Sequence, residues 1–332
     1  MPDCHKLVPE DPRVTTITST IRGKSYQYLR ACPQATPSLT VFLIHGFSDL
    51  SFGWRHQIPY LIALGYQVIA PDLLGCGGSA RPDDLHCYTF RSVASDIQEL
   101  ARSIVGEEKI VLGGHGLGGA VVWRTAMWYP ELVLGIFSIS TPFLPPSTVF
   151  LTPDDPVLEF GMKPLSSPAD VQKKYNDAQS LCRTSQISLP GVEPCGKINT
   201  ACGVRLLFRN LVKYRQSGTL TRRESLVYTR QYLTNGRSRV EEALRWFHFQ
   251  TRTYNLDDEV QFVLEPTQFT VPALYIAVDE EEKVVIDMRR GMSRHFQNLC
   301  CTRISGSRPC LWESAMDVNR QIGEWMAFLP AA

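Results

Sequence analysis

The chain has almost no surplus of charge. Its 34 Lys and Arg stand against 33 Asp and Glu, for a formal net charge of +1 over 332 residues. Nothing global therefore draws it to nucleic acid or to an acidic polymer. No run approaches the length of a transmembrane span. Residues Met1 to Glu10 are polar and lack an apolar segment of secretory type, so no signal peptide is expected and an intracellular, cytoplasmic location is the default. The ten cysteines, at 4, 32, 76, 87, 182, 195, 202, 300, 301 and 310, contain no C-x-x-C pair and no spacing with histidine that suits zinc. They read as free thiols, and a disulfide among Cys182, Cys195 and Cys202 has no support in a cytosolic setting. Cys300 and Cys301 lie in an expected strand and should point to opposite faces. Repeats and low-complexity tracts are also missing. Neither a metal nor a cofactor is expected, and the oligomeric state is unreadable.

What is present alternates. Strands are expected at Thr15–Ser19, Lys24–Arg30, Leu39–His45, Tyr66–Ala70, Lys109–Leu112 and Leu134–Ser140. Leu39–His45 is nearly continuous in apolar residues, as a buried parallel strand should be. Helices are expected at Gln57–Leu64, Phe90–Val105 and Gly118–Tyr129, the second with Val93, Ile97, Leu100, Ala101 and Ile104 at helical spacing. This pattern predicts a doubly wound parallel sheet. Six prolines between Pro142 and Pro164 then break it. Helical pieces follow to about Leu256: Thr221-Arg222-Arg223-Glu224 is a capping box before a helix through Leu233 closed by Asn235-Gly236, and a second helix runs near Val240–Phe249. The α/β pattern returns with a strand at Val271–Val278, a helix near Asp287–Phe296, a strand at Cys300–Ile304 and a final helix over about Ala315–Phe328. The expected division is a core in two parts, 1–143 and 259–332, split by a helical cap at 144–258.

The run Val111-Leu112-Gly113-Gly114-His115-Gly116-Leu117-Gly118-Gly119-Ala120 joins a strand to a helix through a glycine-rich turn. Gly114-x-Gly116-x-x-Gly119 fits the dinucleotide fingerprint G-x-G-x-x-G, but that reading wants an acid about 20 positions on. Only Glu131 is near, on the wrong side of the next strand. The run also has the form of a nucleophile elbow, G-x-nucleophile-x-G. Its centre is Gly116, which has no side chain.

Other segments support the elbow. His45-Gly46-Phe47 with Trp54-Arg55-His56-Gln57-Ile58-Pro59, Pro71-Asp72-Leu73-Leu74-Gly75-Cys76-Gly77-Gly78-Ser79, Val122-Trp123-Arg124, Trp128-Tyr129-Pro130-Glu131 and Leu311-Trp312-Glu313 with Val318-Asn319 and Trp325 together resemble the epoxide hydrolase family, its fungal members most. The resemblance covers nearly the whole chain and is weakest over Leu151–Cys202. It implies an α/β-hydrolase fold, a mostly parallel doubly wound sheet with an inserted helical cap. It also implies a mechanism in which an elbow aspartate attacks the epoxide, a histidine paired with an acid activates water, and two cap tyrosines donate to the epoxide oxygen.

Carried over by position, most of that machinery is replaced. Gly116 stands at the nucleophile, Leu117 where a tryptophan is usual, and Arg308 where the histidine is expected. Arginine stays cationic and cannot serve as a base near neutral pH. Glu281 fits the acid, with Glu282 as rival. Arg245-Trp246-Phe247 stands where the family has N-W-Y, so that hydroxyl is missing. Tyr175, Tyr214 and Tyr228 are candidates for the other cap tyrosine. The resemblance implies backbone N–H donors at Phe47 and Leu117. Asp49 and His115 are candidate proton acceptors, although the ordinary reading of His115 is packing. His248 faces either the pocket or solvent, and His56 packs near the oxyanion loop.

Residues 201–256 hold ten Arg and one Lys against Glu224, Glu241 and Glu242, either as a solvated face or as steering for an anionic group. Three functions stay open. One is a non-hydrolytic cyclase, isomerase or dehydratase on a small hydrophobic, in one version anionic, secondary metabolite. The others are a ligand-binding or scaffolding pseudoenzyme, and a residual hydrolase that adds water directly.

Overall fold

The computed structural model describes residues 5–47, 49–147, 192–193, 215–216, 220–234, 237–238, 240–278, 291–306 and 310–330. Its centre is an eight-stranded sheet in the order β1-β2-β4-β3-β5-β6-β11-β12. These are β1 (Thr15–Ile21), β2 (Lys24–Ala31), β3 (Leu39–Ile44), β4 (Tyr66–Pro71), β5 (Ile110–His115), β6 (Val133–Ile139), β11 (Ala273–Val278) and β12 (Leu299–Ile304). Strand β2 is antiparallel to both β1 and β4, and every pair from β4 to β12 is parallel. Cys300 is exposed and Cys301 half-buried, as alternation along β12 requires.

Alternation along the strands builds two apolar layers. Val41, Leu43 and Val111 face one side, with Ile58 and Leu61 of α1 (Gln57–Ala63) and Val318 and Ile322 of α8 (Ala315–Met326). Phe42, Ile44 and Leu112 face the other, with Val93 and Ile97 of α2 (Phe90–Val105) and Val121 and Val122 of α3 (Leu117–Trp128). Helix α2 has the bounds that its apolar spacing predicts. A short helix, α7 (Cys310–Glu313), precedes α8.

The helical segment departs from expectation in two places. The capping box forms: the Thr221 N–H donates to Glu224 Oε2 at 2.7 Å and the Glu224 N–H to Thr221 Oγ1 at 3.3 Å. The helix it opens, α4 (Arg222–Tyr232), stops before the expected Leu233. Strands β9 (Leu233–Thr234) and β10 (Arg237–Ser238) pair antiparallel just beyond it; Asn235 and Gly236, expected to close the helix, lie outside the described residues. The helix expected near Val240–Phe249 is divided into α5 (Val240–Leu244), a 3₁₀ turn Arg245–Phe247 and a long α6 (Phe249–Leu264). The break lets Arg245 Nη1 donate to the carbonyls of Arg81 and Pro82 and Trp246 Nε1 to that of Leu74. Of the helix expected near Asp287–Phe296, residues 287–290 lie outside the described residues, 291–292 are helical, 293–295 form a turn and Phe296 bridges Phe269. A further pair, β7 (Val192–Glu193) and β8 (Arg215–Gln216), lies within the expected cap.

Helices α4, α5 and α6 dock on the loops at the carboxyl ends of the parallel strands. Gly75, at φ +82°, has no room for a side chain against the backbone of Glu242 and Ala243. Arg124 of α3 donates to Glu259 of α6 at 2.7 Å, and the Phe90 N–H donates to Asn255 Oδ1. Among the described residues no helix is long and apolar enough to cross a membrane.

Candidate active site

The elbow stands at the carboxyl end of β5. Gly116 has φ 55° and ψ −122° and caps the N-terminus of α3. Its N–H donates to the Ile139 carbonyl at 3.2 Å, and its carbonyl accepts from the Gly119 N–H and from Thr141 Oγ1 at 2.8 Å. The glycines around it have a steric reason. A Cβ on Gly114 would overlap the Gly118 carbonyl, one on Gly118 the Ile44 carbonyl, and one on Gly119 the Ser138 hydroxyl. Gly116 differs: a Cβ there would meet only the Gly46 Cα, at an ordinary 3.6 Å. The turn keeps space for a side chain at 116, and only the positive φ disfavours one.

The loop after β3 faces the elbow. His45 is fully buried, and its Nε2 accepts from the Leu73 N–H at 2.9 Å. Its proton therefore sits on Nδ1, which donates to the Gly46 carbonyl at 2.7 Å. The ring thus ties the β3 loop to the segment after β4. Asp72 holds that segment, accepting from Ser51 N–H at 2.8 Å and Gly78 N–H at 3.1 Å. Leu117 is the first residue of α3, so its N–H belongs to the first turn, whose donors have no partner inside the helix. The His115 ring packs against Gly46, with Nδ1 3.3 Å from where a Cβ on Gly46 would stand.

Two helical residues reach this loop. Phe247 stands edge-on to Phe47, with ring centroids 4.8 Å apart. Tyr228, fully buried between Phe52 and Trp312, donates its hydroxyl to Asp49 Oδ1 at 2.8 Å. The Leu50 N–H donates to the same oxygen at 2.8 Å. Of the tyrosines named from sequence, Tyr228 therefore gives its hydroxyl to Asp49. Trp246 is an anchor, edge-on to Tyr88 and bonded to Leu74. His248 caps α6 through Nδ1, which accepts from the Gln250 N–H, and burial lowers its pKa. Arg308, Glu281, its rival Glu282, Tyr175 and Tyr214 lie outside the described residues.

A second polar cluster, which sequence reasoning missed, lies one helical turn from Tyr228. Arg55 is fully buried, its guanidinium 4.2 Å from the Trp312 ring centroid and 5.6 Å from that of Phe52. Its Nε is 3.3 Å from Glu224 Oε1, which also takes Lys6 Nζ at 2.8 Å. Burial pushes the Glu224 carboxyl up, but hydrogen bonds from Lys6 and Thr221 outweigh it and hold the pKa below the usual value. Next to Arg55, His56 is pushed down to about 4, by burial first and then by Arg55 and Lys6. The four-residue Glu224-x-x-x-Tyr228 spacing is the available signal, since it puts both on one helical face. Among the described residues no three His, Cys, Asp or Glu side chains stand close enough to share a metal ion.

The family model of the alpha/beta hydrolase fold matches residues 40–313. The chain is 29% identical to Epoxide hydrolase srdG of Neurospora crassa, over 96% of this chain and 97% of that protein. It is 40% identical to Epoxide hydrolase A of Mycobacterium tuberculosis over 109 residues, about a third of either protein. The crystal structure of Epoxide Hydrolase A from Mycobacterium thermoresistibile superposes with a TM-score of 0.69 at 23% identity, covering 96% of this chain and 100% of that one. Potato (Solanum tuberosum) epoxide hydrolase I gives 0.69 at 18% identity, over 95% and 99%. With an elbow at the end of β5, a mostly parallel eight-stranded sheet and a family match over most of its length, this chain belongs to the alpha/beta hydrolase fold family.

Proposed function

We propose that this is an epoxide-hydrolase-like protein without the family's covalent triad, acting as a cyclase, isomerase or dehydratase on a small hydrophobic secondary metabolite. The observation that carries the reading is Gly116: the elbow backbone is kept, its neighbouring glycines are dictated by packing, and the one position with room for a side chain has none. In this reading residues 144–258 form the cap. The N–H groups of Phe47 and Leu117 polarise a substrate oxygen, and each such donor is worth about 3 kcal/mol of barrier. Phe247 presents an apolar edge where the family resemblance implies a phenol, so polarisation falls to the backbone. The proposal also gives Arg308, with Glu281, the part of a permanent cation for the same oxygen.

Ring opening by a nucleophile within the substrate, double-bond migration or loss of water needs positioning and charge stabilisation, not an acyl- or alkyl-enzyme. Direct addition of water through Asp49 is less well supported, because Oδ1 already accepts from Tyr228 and Leu50. The test is a panel of hydrophobic epoxides, enols and polyenes, followed by mass. Products isomeric with substrate or lighter by one water, lost in Gly116→Val and reduced in Arg308→Ala, are expected. The absence of turnover across the panel would refute the proposal.

A further inference from the structure

We infer that helix α4 is a positioning clasp for the loop that carries Phe47, with Tyr228 and Glu224 as its two grips. The two residues are one turn apart on the same face of α4. They take hold at opposite ends of one short element, the 3₁₀ turn Ser51–Trp54. Before that turn, Tyr228 donates to Asp49; after it, Glu224 pairs with Arg55. Asp49 belongs to the turn that begins at Gly46, because its N–H donates to the Gly46 carbonyl at 3.3 Å. Its Oδ1 also accepts from the Leu50 N–H, and Gly53 leaves no room for a side chain beside the carboxylate. The segment from Asp49 to Arg55 is thus held at both ends by one helix, and the Asp49 N–H ties it back to Gly46.

The contacts are built to be exclusive. Tyr228 and Arg55 are fully buried and Glu224 is 1% exposed, so water cannot replace either partner at little cost. Trp312 packs against the Tyr228 ring and under the Arg55 guanidinium that Glu224 holds, and donates Nε1 to the Gly53 carbonyl at 3.0 Å. Lys6 adds a third element: the Leu7 N–H donates to the Arg55 carbonyl at 2.8 Å while Lys6 pairs with Glu224. The N-terminal segment therefore locks the clasp from outside. Neither grip touches the elbow; each acts through the loop, setting where the Phe47 N–H stands relative to Gly116. The inference takes its meaning for catalysis from the proposed function, but its physical content does not depend on turnover.

Amide hydrogen exchange of the full chain tests it. Tyr228→Phe removes one hydroxyl and keeps the ring against Phe52 and Trp312. Exchange at Asp49, Leu50 and Gly53 is expected to rise about tenfold or more, the scale of a lost hydrogen bond to a charged acceptor, with β5 and β6 unchanged. Glu224→Gln, which retains a capping acceptor, should raise exchange at Gly53 and Arg55. Unchanged exchange at Asp49 and Leu50 in Tyr228→Phe would overturn the inference. So would a uniform rise that includes β5 and β6, since the hydroxyl would then serve global stability rather than loop position. A substrate panel that yields no product would sink the proposed function and leave this exchange pattern intact.

Discussion

The Cα of Gly46 lies 3.6 Å from the point where a Cβ on Gly116 would stand, while a Cβ on Gly118 would overlap the carbonyl of Ile44. One glycine of the elbow thus has room for a side chain and its neighbour two residues on has none. The two should respond differently to the same substitution. Gly116→Ala is expected to fold, destabilised by about 1–3 kcal/mol from the positive φ. Gly118→Ala must push β3 and α3 apart and should lose cooperative unfolding or express insoluble. Urea denaturation of the pair checks this, and equal losses would contradict it.

On the proposed reading, an aspartate at position 116 alone should not confer hydrolysis. Residues of a catalytic unit act together, so one recovered member contributes little without its partners. Gly116→Asp is expected to show no diol formation from simple epoxides above the buffer rate. The triple variant Gly116→Asp, Arg308→His, Phe247→Tyr is the one that should gain it. Product chromatography over hours distinguishes the two.

The Arg55–Glu224–Lys6 cluster should be strongly asymmetric to mutation. Glu224→Ala leaves the guanidinium of Arg55 buried without a counter-charge, a loss of about 3–5 kcal/mol. Lys6, 32% exposed at its side chain, contributes less. Lys6→Met should cost under about 1 kcal/mol. Chemical denaturation of both variants gives the comparison directly.

Acid should weaken the protein through the same region. His56 falls from 6.5 in the unfolded chain to about 4 in the folded one, by burial and then by Arg55 and Lys6. Between those values the unfolded state binds the extra proton, so stability declines as pH drops from about 6.5 toward 4. Glu224, also lowered, acts in the same direction below its unfolded value. The His56 part is on the order of 2 kcal/mol, allowing for solvent screening. His56→Gln should therefore narrow the difference in Tm between pH 7 and pH 5, and an unchanged difference would count against the assignment.

The sheet was legible because its strands and helices follow local rules. Phe90–Val105 declares itself by apolar spacing, and Leu39–Ile44 by an apolar run broken only by Thr40. Asn-Gly is an ambiguous dipeptide, since it ends helices and turns hairpins, and the antiparallel pairing of Leu233–Thr234 with Arg237–Ser238 is not foretold by it. The break at Arg245–Phe247 has a cause about 165 residues away, in the carbonyls of Leu74, Arg81 and Pro82. The site has the same character. Gly116 and Phe247 could be singled out by position in a motif, but not that Phe247 would meet Phe47, or that Tyr228 would turn its hydroxyl to Asp49. Such pairs depend on the packing of α4 and α6 over the strand ends, which no local spacing encodes.

The central claim is that chemistry at this elbow proceeds without a covalent nucleophile and without adding water. Turnover of a hydrophobic epoxide in ¹⁸O-enriched water, read by mass spectrometry of the product, tests it most directly. The account predicts a product isomeric with the substrate, or lighter by one water, with no ¹⁸O. An ¹⁸O-labelled diol formed by the unaltered protein, and not by Gly116→Val, would contradict it.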